Sequence, residues 1–181
     1  MIWWRRTPPE TTIDGLYGTI VAQARLPIFY TEYGVPDSVE GRFEMIVLHQ
    51  ALTTRRLARE TATSQFGAIL FDRFCRDLDH NLREMGVGDL TVPKRMRAFG
   101  EAYFGRARAY DQALTACDNE TCAQALARNV YGVATVSAGA RRLAHYVEHA
   151  ARQLDALDAA ALAGGLLRFP DPKAIPEAIA A

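Results

Sequence analysis

No run of the 181-residue chain approaches the roughly 18 to 20 consecutive apolar residues that a bilayer-spanning helix requires, and the start MIWWRRTPPE has too short an apolar stretch for a signal peptide. Cysteine is scarce: Cys75, Cys117 and Cys122 make an odd number, with four residues between the last two rather than the two of common zinc and redox motifs. No Cys-x-x-Cys-His run offers covalent haem attachment. These counts lead us to expect a reduced, cytoplasmic protein with no cofactor. Excess charge is missing too. Basic and acidic residues number 21 each, so nothing in bulk argues for DNA, and any contact with RNA or lipid headgroups must come from local distribution. No segment alternates with period two, which removes the usual signature of a half-buried strand.

What remains is helical periodicity. With 49% hydrophobic and 23% charged residues the composition is that of one globular domain, and we expect an all-α fold of six or seven helices. The expected limits are a flexible N-terminus over 1–11, a helical domain over 12–169 and a Pro-rich tail over 170–181. The first helix runs from about Thr12 to Arg25, where Pro27 breaks it. Asp37 and Glu40 form a candidate capping box for a second, whose stripe is Val39, Phe43, Ile46, Val47, Ala51 and Leu52. Arg55, Arg56 and Arg59 suit its C-terminal end.

A third helix, about Ala62 to Met85, turns Phe66, Ile69, Leu70, Phe71, Phe74, Leu78, Leu82 and Met85 inward. A fourth is capped by Thr91, with Pro93 in its first turn and Met96, Phe99, Tyr103, Tyr110 and Leu114 inward. Asp118 and Ser137 open two more, the last carrying Leu143, Tyr146, Val147, Leu154 and Leu157. Gly164-Gly165 ends regular structure, and Leu166, Leu167 and Phe169 are expected to tuck the tail onto the body.

The segment RDLDHNLREMGVGD (Arg76 to Asp89) imitates a calcium loop, with Asp77, Asp79 and Asn81 at every second position. Calcium loops of that type need glycine at position 6 and glutamate at position 12; Leu82 and Gly88 stand there, so the reading fails. On a helix Asp77 and Asp79 lie on different faces and cannot converge on one substrate atom. Gly86 fits the left-handed residue just past a helix end, with Val87 closing a Schellman cap.

Catalytic and cofactor chemistry would have to come from the histidines. Asp77, His80 and Glu84 could face one metal, and His145 with His149, four apart on one face, could hold a metal or haem. Against this, Arg141, Arg142 and Glu148 give that face the look of solvated surface. His49, beside an apolar stripe, reads as a hydrogen-bonded histidine between helices or as a residue facing a substrate. Two segments suit partners instead. Ile28, Phe29, Tyr30 and Tyr33 form an aromatic loop that is either an exposed binding patch or a cover over the first helices. Lys94, Arg95, Arg97, Arg106 and Arg108, offset by Glu101, make a basic helix able to meet ribosomal RNA or lipid phosphate. Trp3 and Trp4 beside Arg5 and Arg6 suit either a lipid interface or a locally packed terminus.

Four stretches carry a resemblance: GVPDSVEGRFEMIVLHQAL (Gly34 to Leu52), FCRDLDHNLREMGV (Phe74 to Val87), FGRARAYDQAL (Phe104 to Leu114) and HYVEHAARQLD (His145 to Asp155). In this order they resemble the ubiquinol–cytochrome c chaperone family, the bacterial relatives of a mitochondrial assembly factor for the cytochrome bc1 complex. The specific points are Leu48-His49, Asp77 with Arg83-x-Met85-Gly86-Val87, Tyr110-Asp111, and Tyr146-Val147 with Leu154-Asp155. The long targeting region of mitochondrial members is not seen, which fits a bacterial form. The resemblance implies a non-enzymatic chaperone whose client is newly made cytochrome b, with the ribosome and peripheral contact with the inner membrane as further expectations. Phe29, Tyr30, Tyr33, His49, Asp77, Arg83, Tyr110 and Asp111 are the partner-binding candidates. The competing readings are a haem- or metal-binding helical protein and a ribosome adaptor using the basic helix.

Overall fold

The apolar positions of Glu10–Ala24 repeat at three and four residues, so Ile13, Leu16, Tyr17, Ile20 and Ala24 share one buried face of the first helix, α1. Pro27 then allows only a single turn, α2 (Ile28–Thr31), before the chain re-enters helix as α3 (Val39–Ala58). Next come α4 (Ser64–Glu84), α5 (Val92–Thr115), α6 (Asn119–Asn129), α7 (Ala138–Asp155), the short α8 (Ala159–Ala163) and a 3-10 turn at Pro172–Ala174. The computed structural model describes residues 8–175, and among these there is no strand. The all-α expectation is met. Trp3, Trp4, Arg5, Arg6 and residues 176–181 lie outside the described residues.

α3 is the axis of the fold and packs against α1, α4, α5 and α7. Every residue from Glu44 to Thr53 is buried, not one stripe as its periodicity suggests, while Val39, in its first turn, is exposed. Polar groups hide this centrality from the sequence: Thr53 returns its hydroxyl to the His49 carbonyl, and Arg56 Nε and Nη2 donate to the carbonyls of Leu154 and Leu157. Those carbonyls close α7, so Arg56 supplies cation and donors to another helix's C-terminus instead of its own.

The start of α3 is set one residue later than the Asp37–Glu40 box predicts. Ser38 is the cap, its hydroxyl accepting from the Gly41 amide, because Asp37 is taken by Arg42 at 2.6 Å. A β-carbon on Gly41 would collide with the Pro36 carbonyl oxygen, so the tight turn into α3 itself requires glycine there.

α4 and α5 form a projecting hairpin. Phe66, Leu70 and Phe74 are buried in α4, but beyond Phe74 none of its residues is; Leu78 and Leu82 are half-buried and Met85 is exposed. Between Val92 and Tyr103 no residue of α5 is buried either. The inward stripe therefore runs out where the hairpin leaves the body. Its turn is nonetheless ordered: Gly86 at φ 78 and the bonds from Val87 N to Leu82 O and from Gly86 N to Arg83 O are the expected Schellman cap.

The C-terminal segment is strapped across the body. Gln23 Nε2 donates to Pro170 O, the Tyr33 hydroxyl donates to Pro172 O, and Leu167, Pro172 and Ile175 are buried. The part of the expected tail that is described thus completes the core, and α1 begins at Glu10, two residues before the expected limit.

A candidate client-binding surface

The aromatic segment after α1 turns inward. Phe29 and Tyr33 are fully buried, and Phe29 packs edge-on against Tyr33, His49 and Tyr146 with ring centroids 4.9–5.6 Å apart. Of the two readings open in sequence, cover over the helices is the observed one; the exposed patch is not formed. Tyr30 stays half-buried, its hydroxyl donating to Ala24 O and Arg42 lying over its ring. Arg142 covers the Tyr33 ring at 4.3 Å.

His49 lies at the centre of this cluster with no exposed surface. Its Nδ1 is 2.7 Å from the Met45 carbonyl, which can only accept, so Nδ1 carries the proton and Nε2 accepts from the Tyr146 hydroxyl at 2.8 Å. Tyr146 in turn accepts from Gln23 Nε2. Phe169 closes the ring edge at 5.0 Å. Burial holds the imidazole at about 4, well below the ordinary 6.5, and pushes the Tyr146 phenol up. A neutral histidine sealed in this way faces no substrate; it joins α1, α3 and α7.

Tyr110 is buried as well, accepting from Asn129 Nδ2, whereas the adjoining Asp111 is exposed. Asp111 meets Arg55 Nε at 2.9 Å; Arg55 also reaches Asp155 at 3.2 Å, and Arg59 reaches the same carboxylate at 2.7 Å. Three helices, α3, α5 and α7, are thereby tied at one place on the surface. Beside that tie, α3 and α5 diverge into a groove of about 510 Å³. Ala51, Ala58, Ala107, Tyr103 and Phe104 give it apolar walls, with Arg55, Arg59, Arg108 and Asp111 among its polar lining. Phe104 keeps 60% of its surface exposed. A smaller cleft of about 190 Å³, reaching Cys117, Cys122 and Glu148, opens beyond Arg55 between α5, α6 and α7.

Sequence reasoning named Asp111 and Arg108 but not the pairing that frames this groove. Arg55 and Asp111 stand 56 positions apart, and no local periodicity signals such a bond. Phe104 had a local signal: it follows the inward Tyr103, so helical register turns it outward.

The remaining candidates lie elsewhere. Asp77 accepts from the Tyr17 hydroxyl at 2.8 Å, and Arg83 binds Asp79 and Asp89 around the hairpin turn. Of the basic residues, Lys94, Arg95, Arg97 and Arg108 are exposed, with Arg97 paired to Glu101. Arg106 does not belong with them: its guanidinium turns inward and binds Glu44 at 2.6 Å. Burial raises the Glu44 carboxyl while Arg106 opposes the rise. His80 pairs with Glu84 at 3.1 Å, His145 Nδ1 with Asn119, and His149 is exposed. Among the described residues no three His, Cys, Asp or Glu side chains are placed to share a metal ion. Burial holds the Cys122 thiol at about 12, far from a reactive thiolate.

With this geometry in view, the profile of the Ubiquinol-cytochrome C chaperone family matches residues 31–169. The chain belongs to the ubiquinol–cytochrome c chaperone family. The crystal structure of a Cbp3 homolog from Brucella abortus shares 36% identity with it over 92% of this chain and 93% of that one, with a TM-score of 0.85. The comparison with curated proteins finds no match. Within the family match lie His49 and Tyr146, the Arg55 tie and both walls of the groove, while Gln23 and Phe29 of the aromatic cluster precede it. Among the described residues no helix is long and apolar enough to cross a membrane.

Proposed function

We propose that this family member is a stoichiometric chaperone that binds newly made cytochrome b, without turnover, and carries it toward the cytochrome bc1 complex. The groove between α3 and α5 is the holding surface in this reading. The observation that carries it is the groove's lining: alanines at 51, 58 and 107 let a segment lie close to both helices, while Phe104 offers aromatic area. An exposed phenylalanine beside small apolar side chains suits a client whose own apolar faces need cover before insertion. Rim charges at Arg55, Arg59, Arg108 and Asp111 would fix orientation more than affinity.

A photo-crosslinker placed at position 104 in cells should capture cytochrome b, and Ala107→Glu should abolish capture with little change in melting temperature. Deletion of the gene should lower bc1 complex and shorten cytochrome b lifetime while other respiratory enzymes persist. Normal bc1 levels together with capture of unrelated chains alone would overturn the proposal.

A further inference from the structure

The α4–α5 hairpin ends in a feature that the groove does not use. At its tip Leu90 is 98% exposed and Met85 70% exposed, on a segment that has left the body of the protein. The exposure is built in. Thr91 N and Val92 N bond to Gly88 O, the Schellman bonds fix Met85 to Val87, and Arg83 clamps Asp79 and Asp89 across the turn. Leu90 is thus held outward by backbone, while Val92, two residues on, is buried.

Cations surround this apolar tip. The stretch MGVGDLTVPKRMR (Met85 to Arg97) has one acid, Asp89, already engaged by Arg83, against Lys94, Arg95 and Arg97. Lys94 and Arg95 stand in the first turn of α5, against the helix dipole and with no acid in that turn to offset them. Both are exposed, and neither side chain has a hydrogen-bonded or ionic partner among the described residues. At 1.5 Å rise per residue, all three cations lie within about two turns of the tip. Arg97 pairs with Glu101 one turn on, whereas the side chains of Lys94 and Arg95 add no polar contact to the fold.

We propose that the tip of the α4–α5 hairpin docks on the surface of an anionic lipid bilayer, with Leu90 and Met85 entering the headgroup boundary and Lys94, Arg95 and Arg97 meeting lipid phosphate. Peripheral binding that lasts takes two signals, an apolar anchor and a basic patch, and the hairpin joins both within about two helical turns. RNA would use the cations and leave the exposed leucine and methionine idle; a second copy of this chain would meet like charge around the same tip. The inference is independent of which client the groove holds.

Flotation of the full chain with vesicles tests it. Vesicles of phosphatidylcholine with phosphatidylglycerol should bind the protein, salt should weaken that binding, and phosphatidylcholine alone should not bind. Lys94→Glu with Arg95→Glu should cut partitioning by on the order of twentyfold, from about fivefold for each basic residue near such a surface. Leu90→Ser with Met85→Ser should cut it about as much while leaving the thermal melt unchanged, since both side chains are already exposed. No binding by the unmodified chain would overturn the proposal. So would binding that the charge variant abolishes and the serine variant leaves intact, which marks a general polyanion site; co-sedimentation with ribosomes would then identify RNA. A dimer in sedimentation velocity that Leu90→Ser dissolves would overturn it in favour of self-association.

Discussion

His49 makes the stability of this protein depend on pH through a single buried ring. Its pKa falls from 6.5 in the unfolded chain to about 4 in the fold, so between those values the unfolded state binds the proton and the folded state does not. Stability is therefore complete above 6.5 and is lost as pH falls toward 4, by at most about 3 kcal/mol. Urea titrations across that window should show the loss in the parent and a shallower slope in His49→Gln. A second residue-scale prediction concerns Gly139, where a β-carbon would collide with the Tyr33 carbonyl oxygen. Gly139→Ala should cost on the order of 2 kcal/mol in the same titrations, because the backbone of the α2–α3 connection must shift. The sequence showed that His49 stands beside an apolar stripe and suits burial; it held no sign of Tyr146, which comes from 97 residues away.

Helix ends show what local rules can and cannot locate. Asp118 and Ser137 cap α6 and α7 as their sequences suggest, and Gly86 takes the left-handed position. The α3 cap moved by one residue because Asp37 had a better partner in Arg42. Ser38→Ala should lower stability by about 1 kcal/mol, and Asp37→Ala, which breaks only an exposed ion pair, by less; thermal melts of the two variants separate these outcomes. Arg56 is the case where element-level reasoning from one helix had to fail. A cation at a helix C-terminus is ordinary, but its bonds run to α7, and the side chain is almost fully buried. Arg56→Ala should cost about 2–3 kcal/mol by removing the two guanidinium bonds to the Leu154 and Leu157 carbonyls.

At the scale of the molecule, an all-helical fold was legible because the apolar period of α1, α4, α5 and α7 is local. The centrality of α3 was not, since Glu44, His49, Gln50, Thr53 and Arg56 interrupt its apolar pattern while lying buried. The groove was half legible for the same reason: α5 carries Phe104 and Asp111 in one stretch, but α3 supplies the other wall. Ala107→Glu should leave the urea midpoint nearly unchanged while removing client capture, since the groove is open to solvent. The strap over His49 has a consequence for synthesis. Gln23, Tyr33 and His49 leave the ribosome long before Phe169, Pro170 and Pro172, which close over them, have been made, since the bonded pairs stand 147 and 139 positions apart. Until then the nascent chain shows the ribosome exit an open aromatic pocket, so a protein we assign to guarding another's apolar surface begins life with one of its own left uncovered.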